Sequence, residues 1–141
     1  MSQLVEFVSS HPYLVVALLI SAILIIKSEF DNRFSGISQL NTAEAVRLLN
    51  QDGAVAIDVR EVAEYDSGHI KASKHMPLAS LKDKVDELSK YKDKPILLYC
   101  RSGNRSYQAC KILKKAGFEK AHNLSGGVMG WGSANLPLTQ K

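Results

Sequence analysis

Pro95-Ile96-Leu97-Leu98-Tyr99-Cys100-Arg101-Ser102-Gly103-Asn104-Arg105-Ser106 is the stretch that decides the fold. Its first half is a short unbroken apolar run opened by a proline, the pattern of a central strand covered on both faces. Its second half is polar and contains a glycine where the chain must turn. Downstream, residues 106–116 place Ala109, Ile112, Leu113 and Ala116 on one side of a helix and Lys111, Lys114 and Lys115 on the other. Gly117 ends that helix, and Lys120 to Leu124 predicts another strand. The same alternation runs upstream. Asn41 followed three residues later by Glu44 is a capping-box signature, and Ala43, Val46, Leu48 and Leu49 predict an amphipathic helix that stops near Gly53. Ala54 to Ile57 predicts a buried strand ending at Asp58, and residues 61–66 predict one or two helical turns closed by Gly68. His69-Ile70 and Met76-Pro77-Leu78 read as short extended pieces. Leu81 to Tyr91 reads as one charged amphipathic helix with Leu81, Val85 and Leu88 on one face. Short apolar strands separated by helices specify an α/β sandwich with a mainly parallel central sheet flanked by helices.

In such a sheet, ligands bind beyond the C-terminal ends of the strands, where Cys100 leaves its strand and a helix begins. Gly103 permits the tight turn, and successive backbone N–H groups there can converge on one point at the positive end of the helix. A thiol held in that cradle ionises more readily than a free one, and the thiolate is the nucleophile. Arg101 and Arg105 add charge suited to an oxyanion such as thiosulfate. A cysteine closing a strand is ordinary in isolation; the R-S-G-N-R-S that follows Cys100 sets it apart. Cys110 reads as structural, because it lies mid-helix between inward-facing positions and has no cradle of its own.

The rest of the chain narrows the function class. With 141 residues there is room for one ordinary domain, and 18 basic against 14 acidic residues give a net charge of +4. That mild, dispersed balance argues against nucleic acid as a partner. Two cysteines and four scattered histidines supply neither a disulfide scaffold nor a zinc site. Glu6 is the only formally charged side chain before Lys27. The uncharged run Phe7–Ile26 has the length of a membrane-spanning helix, with Pro12 near its start and His11 and Tyr13 suited to the interface. No basic residue precedes the run and no small-x-small cleavage site follows Ile26, so an uncleaved anchor fits better than a signal peptide. Lys27 and Arg33 on the C-terminal flank place the following chain in the cytoplasm, at the inner membrane. Residues 27–35 read as a short polar tether, and a domain over residues 36–138 follows.

That domain resembles a single rhodanese domain. The matching texts are Asp58-Val59-Arg60, Gly68-His69-Ile70, the loop Cys100 to Ser106, Ala109, Gly117-Phe118, Leu124, Gly126-Gly127 and Trp131. The resemblance implies a three-layer sandwich and a sulfurtransferase. Cys100 would take a sulfane sulfur from thiosulfate or a persulfide and pass it to a thiol or cyanide acceptor. By the same resemblance Arg101, Ser102, Gly103, Asn104 and Arg105 bind the substrate, Asp58, Arg60 and Ser106 support the site, and no cofactor or metal is expected. Asp58 caps the next turn or pairs with Arg60 or Arg105; Glu64 faces solvent or pairs with a nearby base; His69 is structural. Gly126-Gly127 forms a turn before a short helix that Trp131 plugs into the core. Where the family often continues with P-G-A after G-H-I, this chain has Lys71-Ala72-Ser73, and His75 stands before Pro77 in place of an Asn. A protein persulfide partner would be read by the surface around Lys71, Lys74 and the loop. Two other functions compete. Cysteine-dependent phosphatases and arsenate reductases use C-x5-R, whereas this loop is C-x4-R and encloses a smaller volume. A non-enzymatic, membrane-tethered sulfur-relay or adaptor module is the other.

Overall fold

A computed structural model describes residues 2–140, which fall into two compact units, one up to Gly36 and one from Ile37 onward. In the first unit, α1 (Ser2–Ser10) and α2 (Pro12–Phe34) are separated at His11, because Pro12 takes the first position of the second helix, where its missing N–H costs nothing. Residues 12–30 are long and apolar enough to cross a membrane, and none of that stretch is buried. The continuous apolar helix therefore starts at Pro12 and not at the expected Phe7. The segment read as an irregular tether is also different: residues 27–34 continue α2.

The second unit is a five-stranded, fully parallel sheet in the order β1-β5-β4-β2-β3. The strands are β1 (Ser38–Leu40), β2 (Val55–Asp58), β3 (Lys74–His75), β4 (Ile96–Tyr99) and β5 (Ala121–Leu124). β4 is central, with Val55 to Asp58 in register with Ile96 to Tyr99 on one side and Ala121 to Asn123 paired on the other. Every residue of β4 is fully buried, which explains its lack of polar alternation. Ile96 and Leu98 face one cluster with Ile57, Val59, Leu81, Leu88 and Leu113, while Leu97 and Tyr99 face another with Ala45, Leu48, Leu124 and Trp131. Helices cover both faces, so the architecture is the three-layer parallel sandwich expected.

α3 (Thr42–Leu49) begins with the expected capping box: Glu44 N–H donates to Asn41 Oδ1 at 3.0 Å and Asn41 N–H to Glu44 Oε2 at 2.8 Å. Its buried residues are Ala45 and Leu48, and Ala43 turns outward. α4 (Val62–Ser67) ends at Gly68 as the sequence indicated. Leu81–Tyr91 is not one helix. A single turn, α5 (Leu78–Leu81), precedes a 3₁₀ helix over Val85–Tyr91. The reason lies in the spacing, since Val85, Leu88 and Tyr91 recur every three residues and align on one edge of a three-per-turn helix against the core. α6 (Asn104–Lys115) and α7 (Gly127–Ser133) complete the domain. The edge strand β1, short and largely exposed, has Leu40 as its one apolar residue and went unanticipated.

Candidate active site

Cys100 directly follows β4, with its side chain buried against the sheet, and α6 starts four residues later. The turn between them depends on Gly103, whose φ of +103° suits glycine, and a Cβ there would lie 3.1 Å from the Leu124 carbonyl oxygen. That conformation directs the Gly103 N–H at Cys100 Sγ, 3.1 Å away. The backbone N–H groups of Ser102 and Ser106 add to the stabilisation of charge on the sulfur. Burial alone would push the thiol up. The Ser106 hydroxyl and the amides of Ser106, Gly103 and Ser102 outweigh it, and the Cys100 pKa is lowered.

Ser106 is buried and has one hydroxyl proton for three acceptors: Asn123 Oδ1 at 2.5 Å, the Gly103 carbonyl at 3.2 Å and Cys100 Sγ at 3.5 Å. Ionisation of the sulfur makes it the stronger competitor for that proton. Asn123, in β5, donates through Nδ2 to Gln39 Oε1 at 2.7 Å and to the Gly103 carbonyl at 3.1 Å, tying the turn to two strands. Asn123 was not identified from the sequence. The signal available was an amide in the middle of an otherwise sheet-like Ala121–Leu124 segment.

The carbonyls of the loop are held from α7. Val128 N–H donates to Cys100 O at 2.8 Å and Met129 N–H to Arg101 O at 3.1 Å. Gly127 permits this approach, because any Cβ at that position would overlap the Cys100 carbonyl oxygen and the Arg101 carbonyl group. The Gly126-Gly127 turn thus braces the loop as well as starting a helix. Trp131 fills the core as expected and donates its indole N–H to Pro137 O at 3.2 Å.

Arg101, Ser102 and Asn104 are exposed, and Arg105 is half-buried. Arg105 does not meet Asp58. Its fork engages Glu64, Nη1 to Oε2 and Nη2 to Oε1, both at 2.8 Å. The hydrogen bond and charge of Arg105 lower the Glu64 pKa to about 2, and Glu64 in turn raises that of Arg105. Asp58 instead pairs with Arg60: Nε donates to both carboxylate oxygens at 2.9 and 3.0 Å, and Nη2 reaches Oδ2 at 2.6 Å. Arg60 Nη2 also donates to Gly68 O at 2.7 Å, so this buried pair fastens the turn after α4 and does not touch the cysteine. His69 donates from Nδ1 to Tyr65 O at 2.9 Å and stacks on the Tyr65 ring, a structural role. Cys110 is fully buried in the helix face, and burial pushes its thiol up to about 12, far from nucleophilic use. Among the described residues no group of three or more His, Cys, Asp or Glu side chains converges as a metal site would require.

The Rhodanese-like domain family matches residues 41–134. Protein YibN of Escherichia coli is 33% identical over 99% of both chains. A sulfurtransferase of Allochromatium vinosum is 35% identical over 65% of this chain and 84% of its own length. Among solved structures, a rhodanese-related protein from Thermoplasma volcanium superposes with a TM-score of 0.67 at 27% identity, over 74% of this chain and 99% of that one. Family, relatives and fold agree, and the chain belongs to the rhodanese-like domain family, with a family-level relationship to sulfurtransferases.

Proposed function

We propose that the chain is a membrane-anchored sulfurtransferase that carries a sulfane sulfur as a persulfide on Cys100. The observation that carries this reading is the cradle around Cys100 Sγ, with the Gly103 amide at 3.1 Å and the Ser106 hydroxyl at 3.5 Å. In the first step the thiolate attacks the outer sulfur of the donor, a new S–S bond forms, and the donor's own S–S bond breaks with its electron pair leaving on the remainder. From thiosulfate the remainder is sulfite; from a persulfide it is a thiolate. In the second step an acceptor thiolate attacks the terminal sulfur and Cys100 departs as the thiolate it was. No general base is needed when the attacking group is already ionised. Amides placed for a thiolate hold the charge on a persulfide as well, because it develops one atom further out in the same cradle.

The substrate side of this reading gives Arg101, Ser102, Gly103 and Asn104 to the donor's approach, Arg105, paired with Glu64, to the closing of the loop, and Ser106 to support of the sulfur. The C-x4-R loop favours a single extra sulfur over a phosphoryl group, which sets the phosphatase alternative aside. The exposed apolar helix over residues 12–30 supplies the anchor in the bilayer, and Lys27 and Arg33 at its C-terminal end put the catalytic domain on the cytoplasmic side. The direct test is an intact mass of the protein after incubation with thiosulfate. A gain of one sulfur atom, reversed by a thiol reductant and absent in Cys100→Ser, is the expected result. An unchanged mass from thiosulfate and from an alkyl persulfide alike would overturn it.

A further inference from the structure

We infer that Glu64 is a specificity-determining residue of this site: by occupying the Arg105 guanidinium it sets the site for persulfide donors, R–S–SH, over the thiosulfate dianion. This rests on the sulfur-transfer reading above. Arg105 is the cation that closes the loop, and its two outer nitrogens are both committed to the Glu64 carboxylate at 2.8 Å. A planar fork used on one carboxylate is not available to a second oxyanion. The pairing is itself fixed. Glu64 Oε2 also accepts the Glu61 N–H at 3.2 Å at the start of α4, so the carboxylate is oriented by its own helix before Arg105 arrives. A Glu64 pKa near 2 keeps it ionised across the physiological range.

The consequence is a loop whose charge is largely cancelled. Arg105 is neutralised by Glu64, and Arg60 by Asp58 in the buried layer. Arg101 remains as the exposed cation of the loop, without a carboxylate in salt-bridge contact among the described residues, and the charge of Glu61 adds to that of Glu64 on Arg105. Thiosulfate brings two negative charges to this loop and leaves two behind on sulfite. A persulfide asks for less. Cys100 S⁻ attacks the outer sulfur of R–S–SH, the donor's S–S bond breaks, R–S⁻ departs with the electron pair, and the proton stays on the transferred sulfur. One negative charge is present before and one after. Low-molecular-weight and protein persulfides share this chemistry. Val62 of α4 and Met129 of α7, 58% and 57% exposed, lie on the two elements that hold the loop's Arg105 and Arg101, and they offer apolar contact to a protein-borne donor.

The test uses the full-length protein in detergent, as wild type, Glu64→Gln and Glu64→Asp. Initial rates of Cys100 persulfide formation are measured by intact mass against three donors: thiosulfate, a neutral alkyl persulfide generated in situ, and a persulfidated small cysteine protein. Glu64→Gln frees Arg105 and should lower the KM for thiosulfate by about two- to fivefold, an effect that shrinks at high salt. The alkyl persulfide KM should not move, and Glu64→Asp, which keeps the negative charge, should lower the thiosulfate KM less than Glu64→Gln does. Faster loading from the protein donor than from the alkyl persulfide at equal concentration assigns the source to a protein, and the reverse assigns it to a small molecule. A thiosulfate KM that stays put or rises in Glu64→Gln, or an equal shift for both small donors, would overturn the inference while leaving Cys100 sulfur transfer intact. Failure of all three donors to load wild-type Cys100 would instead remove the sulfur-transfer reading, and the inference with it.

Discussion

At the scale of the residue, the proposed chemistry depends on how far hydrogen bonds offset burial at one sulfur. Cys100 is as buried as Cys110, yet the two thiols shift in opposite directions, because donors surround the first and only burial acts on the second. A lowered pKa means that thiolate persists as pH falls and is lost only below the ordinary cysteine value. The rate of Cys100 alkylation plotted against pH should therefore have its midpoint below about 8.5. Ser106→Ala removes one donor and should move that midpoint upward. A midpoint at or above the free value in the wild type, or no movement in Ser106→Ala, would count against the electrostatic premise. Much at this scale was legible in the sequence. Cys100 to Ser106 is contiguous, so strand end, turn and helix start position one another locally. Partner choice was not legible. Asp58 finds Arg60 two residues away and leaves Arg105 to Glu64, while Asn123 reaches Ser106 from the neighbouring strand; such pairings are settled by sheet order, which spacing does not encode.

At the scale of the element, the site is a junction of β4, α6 and α7, and its weak points are the places where a side chain cannot fit. Gly127 has φ +56° and abuts the Cys100 and Arg101 carbonyls. Gly127→Ala should lose at least about 2 kcal/mol of stability in denaturant unfolding, from the left-handed backbone and the displaced loop together. Sulfur loading of Cys100 should fall with it, and a variant with wild-type stability would show that α7 does not brace the loop. Ala72 is the opposite case. It sits at φ +61°, at the position where the family's P-G-A pattern has glycine. Ala72→Gly should stabilise the domain by roughly 1 kcal/mol, read as a higher denaturation midpoint, with loss of stability as the contrary result. Central elements were readable because β4, buried on both faces, must be apolar throughout, and because α3 carries its cap in the sequence. Elements that earn little burial were not. β1 is short and exposed, and the Leu81–Tyr91 pattern fits a 3₁₀ edge as well as an α-helical face.

At the scale of the whole molecule, an exposed apolar helix and a parallel sandwich divide the proposed work between attachment and chemistry. The helix is apolar on all sides, as lipid requires and water does not. A reporter fused after Lys141 should be active on the cytoplasmic side, and the protein should resist extraction by carbonate or high salt. Release by either treatment would remove the anchor, and a reporter active on the far side would reverse its direction. The central claim is that sulfur passes through Cys100, and the most direct measurement follows the atom itself. Full-length protein is loaded from a donor labelled in its sulfane sulfur, freed of excess donor, and then offered an acceptor thiol. Label should be retained on the wild-type protein and move to the acceptor in a single turnover, with Cys100→Ser retaining none and Cys110→Ser transferring normally. Label that never binds, or that binds and transfers equally well without Cys100, would contradict it.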